Sequence, residues 1–170
     1  GGARTVGFIL PLLEFGGVEK VALNIARGLR AHGWEPHLFD VEAQSAAITP
    51  EWSAAFASIN FLAEAEFRTW GGGENDYLGT NVPGWAATGQ HQAALGMLYW
   101  LDAVISFHAG AVAGLMGKLR RLGVRTAISL HLSDRTAFDR PVGNTYLGLA
   151  FEHAYDLFIP CSHQLADWCN

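Results

Sequence analysis

The strongest constraint on the fold of this 170-residue chain is the alternation of strand-like and helix-like segments along it. The first strand-like segment, 5–10, is almost continuously apolar, which is typical of a central parallel strand covered on both faces. Apolar residues then recur with helical spacing from Val18 to Leu29, and Gly33 marks the end of that helix. Strands joined by helices in this way form a parallel sheet, so the sequence predicts a doubly wound, Rossmann-like α/β domain.

The same alternation continues to the end of the chain. The two stretches without a clear period, 69–90 and 131–144, are predicted to be irregular loops. Six strands with helices on both faces usually pair in the order 3-2-1-4-5-6. The predicted strands are 5–10, 36–41, 58–62, 103–107, 125–130 and 156–160, and the predicted helices are 18–31, 50–57, 89–101, 109–122, 145–155 and 162–169.

Composition excludes several classes of protein. Half of the residues are hydrophobic and only 16% are charged, which argues for a folded domain rather than a disordered chain. The formal net charge of −5 disfavours a nucleic-acid partner, because such proteins are usually basic. Cys161 and Cys169 lack the spacing of a metal site or a disulfide framework. We therefore expect reduced thiols, a cytoplasmic location and no metal.

Candidate ligand-binding residues lie where strands end, because doubly wound sheets bind ligands at the carboxyl ends of their strands. Gly16 and Gly17 precede the first helix, whose free N–H groups suit a phosphate, although a plain turn is the alternative. His108, His131 and Ser162 each follow a later strand. A histidine at a strand end can serve in proton transfer, or it can be a structural residue held by hydrogen bonds. Neither GxGxxG nor a Walker loop is present, which disfavours a dinucleotide site.

Basic residues cluster around the predicted end of the fourth long helix. The simplest interpretation is that they complement the helix dipole and face solvent. The alternative is peripheral contact with anionic lipid headgroups, at the inner face of the membrane. The cluster comprises Lys118, Arg120, Arg121 and Arg125.

Three segments, in order, resemble the N-terminal domain of GT-B-fold glycosyltransferases, especially the retaining family 4. Segment 16–29, followed by 33–36, looks like the family's GG-x-E opening and its Gly-His-Glu-Val entry to the second strand, with Trp34 and Pro36 replacing His and Val. Segments 102–108 and 129–131 are similar to the D-x-x-x-x-x-H and T-x-H strands. Segment 154–162 is similar to the A-D-x-x-I-x-x-S strand.

The resemblance implies that 1–170 is the acceptor-side domain of a two-domain enzyme, and that the donor-binding C-terminal domain is missing from this chain. The full enzyme would transfer a sugar from a nucleotide-diphosphate sugar to a hydroxyl group of a saccharide, lipid or small molecule, and this fragment alone would be inactive. The resemblance places Gly16 and Gly17 near the donor phosphates, Glu19 near the acceptor and His131 at the reaction centre. No cofactor or metal is implied beyond the donor substrate.

A second hypothesis is that the chain has the same fold but no catalytic activity. A non-catalytic α/β module that binds a sugar or a nucleotide would show the same alternation of strands and helices. In the glycosyltransferase hypothesis, His108 and Ser162 join Gly16, Gly17 and Glu19 as candidate contacts to the donor phosphates or the acceptor.

Overall fold

The computed structural model describes residues 2–11, 16–41, 48–62, 76–77, 80–81, 94–107, 109 and 112–170. The strands are β1 (Arg4–Leu10), β2 (Trp34–Asp40), β3 (Ser58–Phe61), β4 (Asp76–Tyr77), β5 (Thr80–Asn81), β6 (Ala103–Phe107), β7 (Arg125–Leu130), β8 (Asp134–Arg135), β9 (Pro141–Val142) and β10 (Leu157–Pro160). The helices are α1 (Gly17–Ala31), α2 (Pro50–Ala55), α3 (Ala113–Arg121), α4 (Gly143–Ala150) and α5 (His163–Cys169). Residues 94–98 are also helical, and Glu152–Ala154 form a 3-10 turn.

Six strands form one parallel sheet in the order β10-β7-β6-β1-β2-β3. This confirms the predicted doubly wound fold, because the order is 3-2-1-4-5-6 when only the sheet strands are counted. β1 lies near the centre, where Phe8 pairs with Leu38 on one side and Ile105 on the other. Because these strands are parallel, the carboxyl ends of β1, β6, β7 and β10 lie at the same edge of the sheet.

Side chains alternate between two hydrophobic cores, one on each face of the sheet. On one face, Phe8 stacks on Phe107 at 5.1 Å between ring centroids and meets Phe56 edge-on at 5.3 Å. This core also receives α1 and α2, through Ala22, Leu23, Ala26, Trp52 and Ala55. The opposite core joins strand residues such as Ile9, Phe39 and Ile128 to α3 and α5, through Leu115, Met116, Leu119 and Leu165.

Two aspartates tie together the amino ends of neighbouring strands. Asp102 precedes β6, and its Oδ2 accepts a hydrogen bond of 2.7 Å from the backbone N–H of Thr5 in β1. Asp156 precedes β10, and its Oδ2 accepts one of 3.0 Å from the backbone N–H of Thr126 in β7. These aspartates belong to two of the segments that resemble family 4, and their contacts here are structural. Each satisfies a strand N–H at the edge of the sheet.

The structure differs from the predictions mainly at the second loop. Within 131–144, β8 and β9 pair as a short antiparallel hairpin. The following helix, α4, begins at Gly143 and ends at Ala150, whereas the sequence predicted 145–155. It ends early because a 3-10 turn directs Ala154, which is 1% exposed, into the core beside Gly117 of α3. α3 begins at Ala113, four residues after its predicted start.

The first long loop lies mostly outside the described residues. Its described part contains β4 and β5, which pair as antiparallel strands. Among all described residues, no helix is both long and apolar enough to cross a bilayer.

Candidate functional site

His131 lies directly after β7, at the carboxyl edge of the sheet. Its Nε2 is 3.1 Å from Oγ of Ser129, two residues earlier in the strand. Residues two apart in a strand point to the same face, so the spacing of Ser129 and His131 places the hydroxyl beside the imidazole. The Ser129 hydroxyl is buried, whereas His131 is half-buried, with its ring 6.4 Å from that of Phe107. The buried Ser129 hydroxyl thus orients the imidazole of His131, and part of the imidazole remains accessible to solvent.

His131 and Ser162 line the same pocket, which has a volume of about 370 Å³. Ser162 is also the N-cap of α5, and its Oγ accepts a hydrogen bond of 3.2 Å from the backbone N–H of Leu165. Cys161 donates from Sγ to the carbonyl oxygen of His131 at 3.3 Å. The hydrogen bond between Cys161 and His131 therefore joins the loop after β7 to the loop after β10, and residues of both loops line the pocket.

The same pocket is lined by Arg135, Gln164 and Trp168, which sequence reasoning did not select. Arg135 lies in the β8–β9 hairpin, where its Nη1 donates to the carbonyl and carboxylate oxygens of Asp139, both at 3.1 Å. The pocket therefore combines a guanidinium that is already paired with the Asp139 carboxylate, an amide and an indole. Because 131–144 has no clear period, only the folded hairpin reveals that Arg135 lies near His131.

The tip of the β8–β9 hairpin is an ordered turn. Oγ1 of Thr136 accepts hydrogen bonds from the backbone N–H groups of Phe138 and Arg140, at 3.3 and 3.2 Å. Asp139 has a φ of 61°, in the left-handed region that aspartate tolerates better than most residues. The turn leaves Phe138 87% exposed. The hairpin therefore presents an aromatic ring at the edge that carries the pocket.

Gly16 and Glu19 have a structural relationship at the start of α1. Gly16 is the N-cap, with extended backbone (φ −135°, ψ 179°). A Cβ added to Gly16 would lie only 2.5 Å from Oε2 of Glu19, so the carboxylate folds back over the glycine. Glu19 is the third residue of the helix, where a glutamate commonly reaches back to the N-cap. A side chain at position 16 would therefore require the Glu19 carboxylate to move.

Gly17 differs, because a Cβ added there would meet no atom of the described residues within 4 Å. Within that part of the chain, neither packing nor a positive φ requires glycine at this position. The open space lies at the first turn of α1, where unpaired N–H groups and the positive end of the helix dipole favour an anion. Gly17 is therefore the member of the pair whose lack of a side chain would matter to a bound phosphate.

The glycine pair and His131 do not line the same described pocket. Gly16 and Glu19 line a smaller one of about 100 Å³, together with Lys20, Thr49 and Trp52. In the sheet, β6 separates β1 from β7, so the two strand ends are about 10 Å apart, or two interstrand spacings. The prediction that His131 and the glycines face one cleft stays a prediction. His108, also predicted for this edge, lies outside the described residues.

The basic cluster lies at the opposite, amino edge of the sheet. It surrounds the last turn of α3 and the start of β7. Among the described residues, no group of three or more His, Cys, Asp or Glu side chains is placed to hold a metal ion.

Comparison with known proteins gives a likeness of fold. No family model matches the sequence, and no curated protein matches it. An α-glucosyltransferase solved with UDP and a 13-mer DNA containing an HMU base is 16% identical, with a TM-score of 0.51, over 94% of this chain and 38% of the other. An α-glucosyltransferase solved with UDP-glucose and DNA containing an abasic site is 18% identical, with a TM-score of 0.51, over 95% of this chain and 36% of the other. A Phytolacca americana UGT2 complex is 14% identical, with a TM-score of 0.44, over 77% of this chain and 30% of the other.

The chain spans less than two fifths of the length of the α-glucosyltransferases that it matches, 38% and 36%. The expectation that nucleic acid is not a partner gains no support, because both of these structures contain DNA. At this level of identity the likeness concerns the fold, so the chain has the α/β Rossmann-like fold that these glycosyltransferases also contain.

Proposed function

We propose that this chain is the acceptor-side domain of a glycosyltransferase that uses a nucleotide-diphosphate sugar. The observation that supports the proposal most is the likeness in fold to α-glucosyltransferases over 94% of the chain. The ordered segments 16–29, 102–108, 129–131 and 154–162 point to the same class of enzyme from the sequence. Because fold alone does not fix function, the proposal depends on the residues at the carboxyl edge as well.

The proposed chemistry requires stabilisation of the departing diphosphate and close positioning of the acceptor hydroxyl. The first turn of α1 can donate backbone N–H groups to the diphosphate, and the open space at Gly17 allows a close approach. His131, oriented by Ser129, can hydrogen-bond the sugar or the acceptor. Arg135 and Trp168 line the adjoining pocket, where an acceptor would bind.

The finer parts of the proposal are the GT-B architecture, retention of anomeric configuration as in family 4, and a cytoplasmic location. The first two rest on the GG-x-E-like and T-x-H-like segments, and the third on the two free cysteines. A second domain, beyond 1–170, would hold most of the donor. The acceptor is a hydroxyl-bearing saccharide, lipid or small molecule, and DNA joins this set because the matched α-glucosyltransferases were solved with it.

The test is release of nucleoside diphosphate from UDP-glucose and other nucleotide sugars, measured with and without a panel of acceptors that includes DNA. We expect acceptor-stimulated release by the protein that contains both domains and none by residues 1–170 alone. Sugar transfer by the 170-residue chain itself would contradict the division of the site between two domains. A two-domain protein that binds nucleotide sugars but transfers none would favour the non-catalytic module.

A further inference from the structure

A second large groove lies at the amino edge of the sheet, away from His131. It has a volume of about 560 Å³. It is formed by the last turn of α3, the start of β7 and the residues that precede β10. The side chains of Arg120, Arg121, Arg125 and His153 line it, together with Asp156.

Arg120 is held in the lining of the groove by two hydrogen bonds. Nε of Arg120 is 2.8 Å from Oδ1 of Asp156, and its Nη1 donates to the carbonyl oxygen of His153 at 2.9 Å. The hydrogen bonds from Arg120 and from the backbone N–H of Thr126 hold the pKa of Asp156 below its usual range. The carboxylate therefore stays ionised at neutral pH; Arg120 forms an ion pair with it, and Arg125 interacts with its charge without forming an ion pair.

The other two arginines leave the groove positively charged. Arg121 and Arg125 are exposed. Neither forms an ion pair with any residue in the part of the chain that the structure describes. A local excess of positive charge in a chain with a net charge of −5 favours an anionic ligand at this groove.

Apolar surface adjoins the basic groove. A neighbouring groove of about 290 Å³, with mostly apolar walls such as Trp34, Ala127 and Ile159, shares Arg125 and Asp156 with it. Leu122, at the end of α3, is 60% exposed, and Leu157, next to Asp156, is 56% exposed. Exposed leucines beside arginines that form no ion pair within the described residues are typical of proteins that bind at the surface of a bilayer.

We propose that the amino edge of the sheet binds anionic phospholipid at a membrane surface. The headgroup phosphate lies in the basic groove between Arg121 and Arg125, and Leu122 and Leu157 enter the interfacial region. A nucleic-acid backbone would use the arginines but gains little from leucines and an apolar groove. Docking by this edge leaves the carboxyl edge, with His131, facing away from the bilayer.

The test is flotation of the 170-residue chain with phosphatidylcholine vesicles, with and without phosphatidylglycerol, over a series of salt concentrations. We expect binding only to the anionic vesicles, weakening as salt rises. The double variant Arg121→Gln/Arg125→Gln should bind about thirty-fold more weakly. Leu122→Gln/Leu157→Gln should also bind more weakly, because insertion of apolar side chains is lost.

The matched control is Arg27→Gln/Arg140→Gln, which removes the same net charge from exposed residues elsewhere on the chain. It should bind anionic vesicles almost as well as the parent, and thermal melts should confirm that each variant is folded. Equal loss in this control, or equal binding to neutral and anionic vesicles, would overturn the proposal. So would binding of inorganic phosphate, glycerol 3-phosphate or duplex DNA that depends on Arg121 and Arg125 without any binding to vesicles.

Discussion

Replacing His131 with alanine separates a catalytic role from a structural one. The substitution removes the hydrogen bond to Ser129 and leaves that hydroxyl, in a residue only 1% exposed, without its partner. An unsatisfied buried hydroxyl costs about 1–3 kcal/mol, and the lower end applies because His131 is half-buried and water can enter in its place. The free energy of unfolding should fall by about 1–2 kcal/mol, a drop in Tm of about 3–6 °C for a chain of this size.

A destabilisation of this size leaves almost all of the protein folded at 25 °C, because domains are stable by about 5–15 kcal/mol. A purely structural His131 therefore predicts an unchanged initial rate of transfer in the intact enzyme. A catalytic His131 predicts a kcat about 100-fold lower, the usual scale for one positioned polar group. Initial rates and thermal melts of the same purified variant distinguish the two, and a normal rate would end the catalytic assignment.

Ser129→Ala supplies the matched control for the hydrogen bond. It removes the donor or acceptor that orients the imidazole and keeps the imidazole itself, so kcat should fall less, by about tenfold. The double variant should be less destabilised than the sum of the two single variants by about 1 kcal/mol, because no hydroxyl is left unpaired. Strict additivity of the two changes in unfolding free energy would show that the 3.1 Å contact contributes nothing.

Three further predictions follow from individual positions. Gly17→Ala should leave Tm almost unchanged, because Gly17 is the first residue of α1 and its Cβ would meet no described atom within 4 Å, yet it should weaken nucleotide-sugar binding by calorimetry. Gly28→Ala, in the interior of the same helix and equally unobstructed by described residues, should raise stability by about 1 kcal/mol and leave binding intact. Burial lowers the pKa of His37 in the folded protein below its ordinary value of 6.5. The stability that the neutral imidazole contributes is therefore present above pH 6.5 and is lost as the pH falls through the pKa of the folded state. Denaturant melts should show this loss in the parent and not in His37→Gln. Gly148→Ala would bring a Cβ within 2.9 Å of Cδ1 of Ile128, and should lower the unfolding free energy by about 1–3 kcal/mol, the usual cost of overpacking.

The sequence by itself determined the elements whose signals are local. The apolar run that becomes β1 and the helical spacing that becomes α1 are periodic over many consecutive residues, so each was predicted to within two residues. The order of the sheet strands also follows, because right-handed crossovers and short connections leave few alternatives to the doubly wound arrangement. His131 could be selected for the same reason, since its position depends only on where β7 ends.

Tertiary structure decided the features that depend on residues far apart in the chain. α4 stops at Ala150 because Ala154 packs beside Gly117, a contact that leaves no period in the local sequence. Arg135, in the paired β8–β9 hairpin, lines the same pocket as Ser162 although 27 residues separate them in the chain. The helical spacing and charges of α3 suggested a solvated cluster, but they could not show that one of its arginines is held by Asp156, 36 residues away. Local periodicity records which face of an element is apolar, whereas contacts between elements depend on loop conformations that the period does not encode.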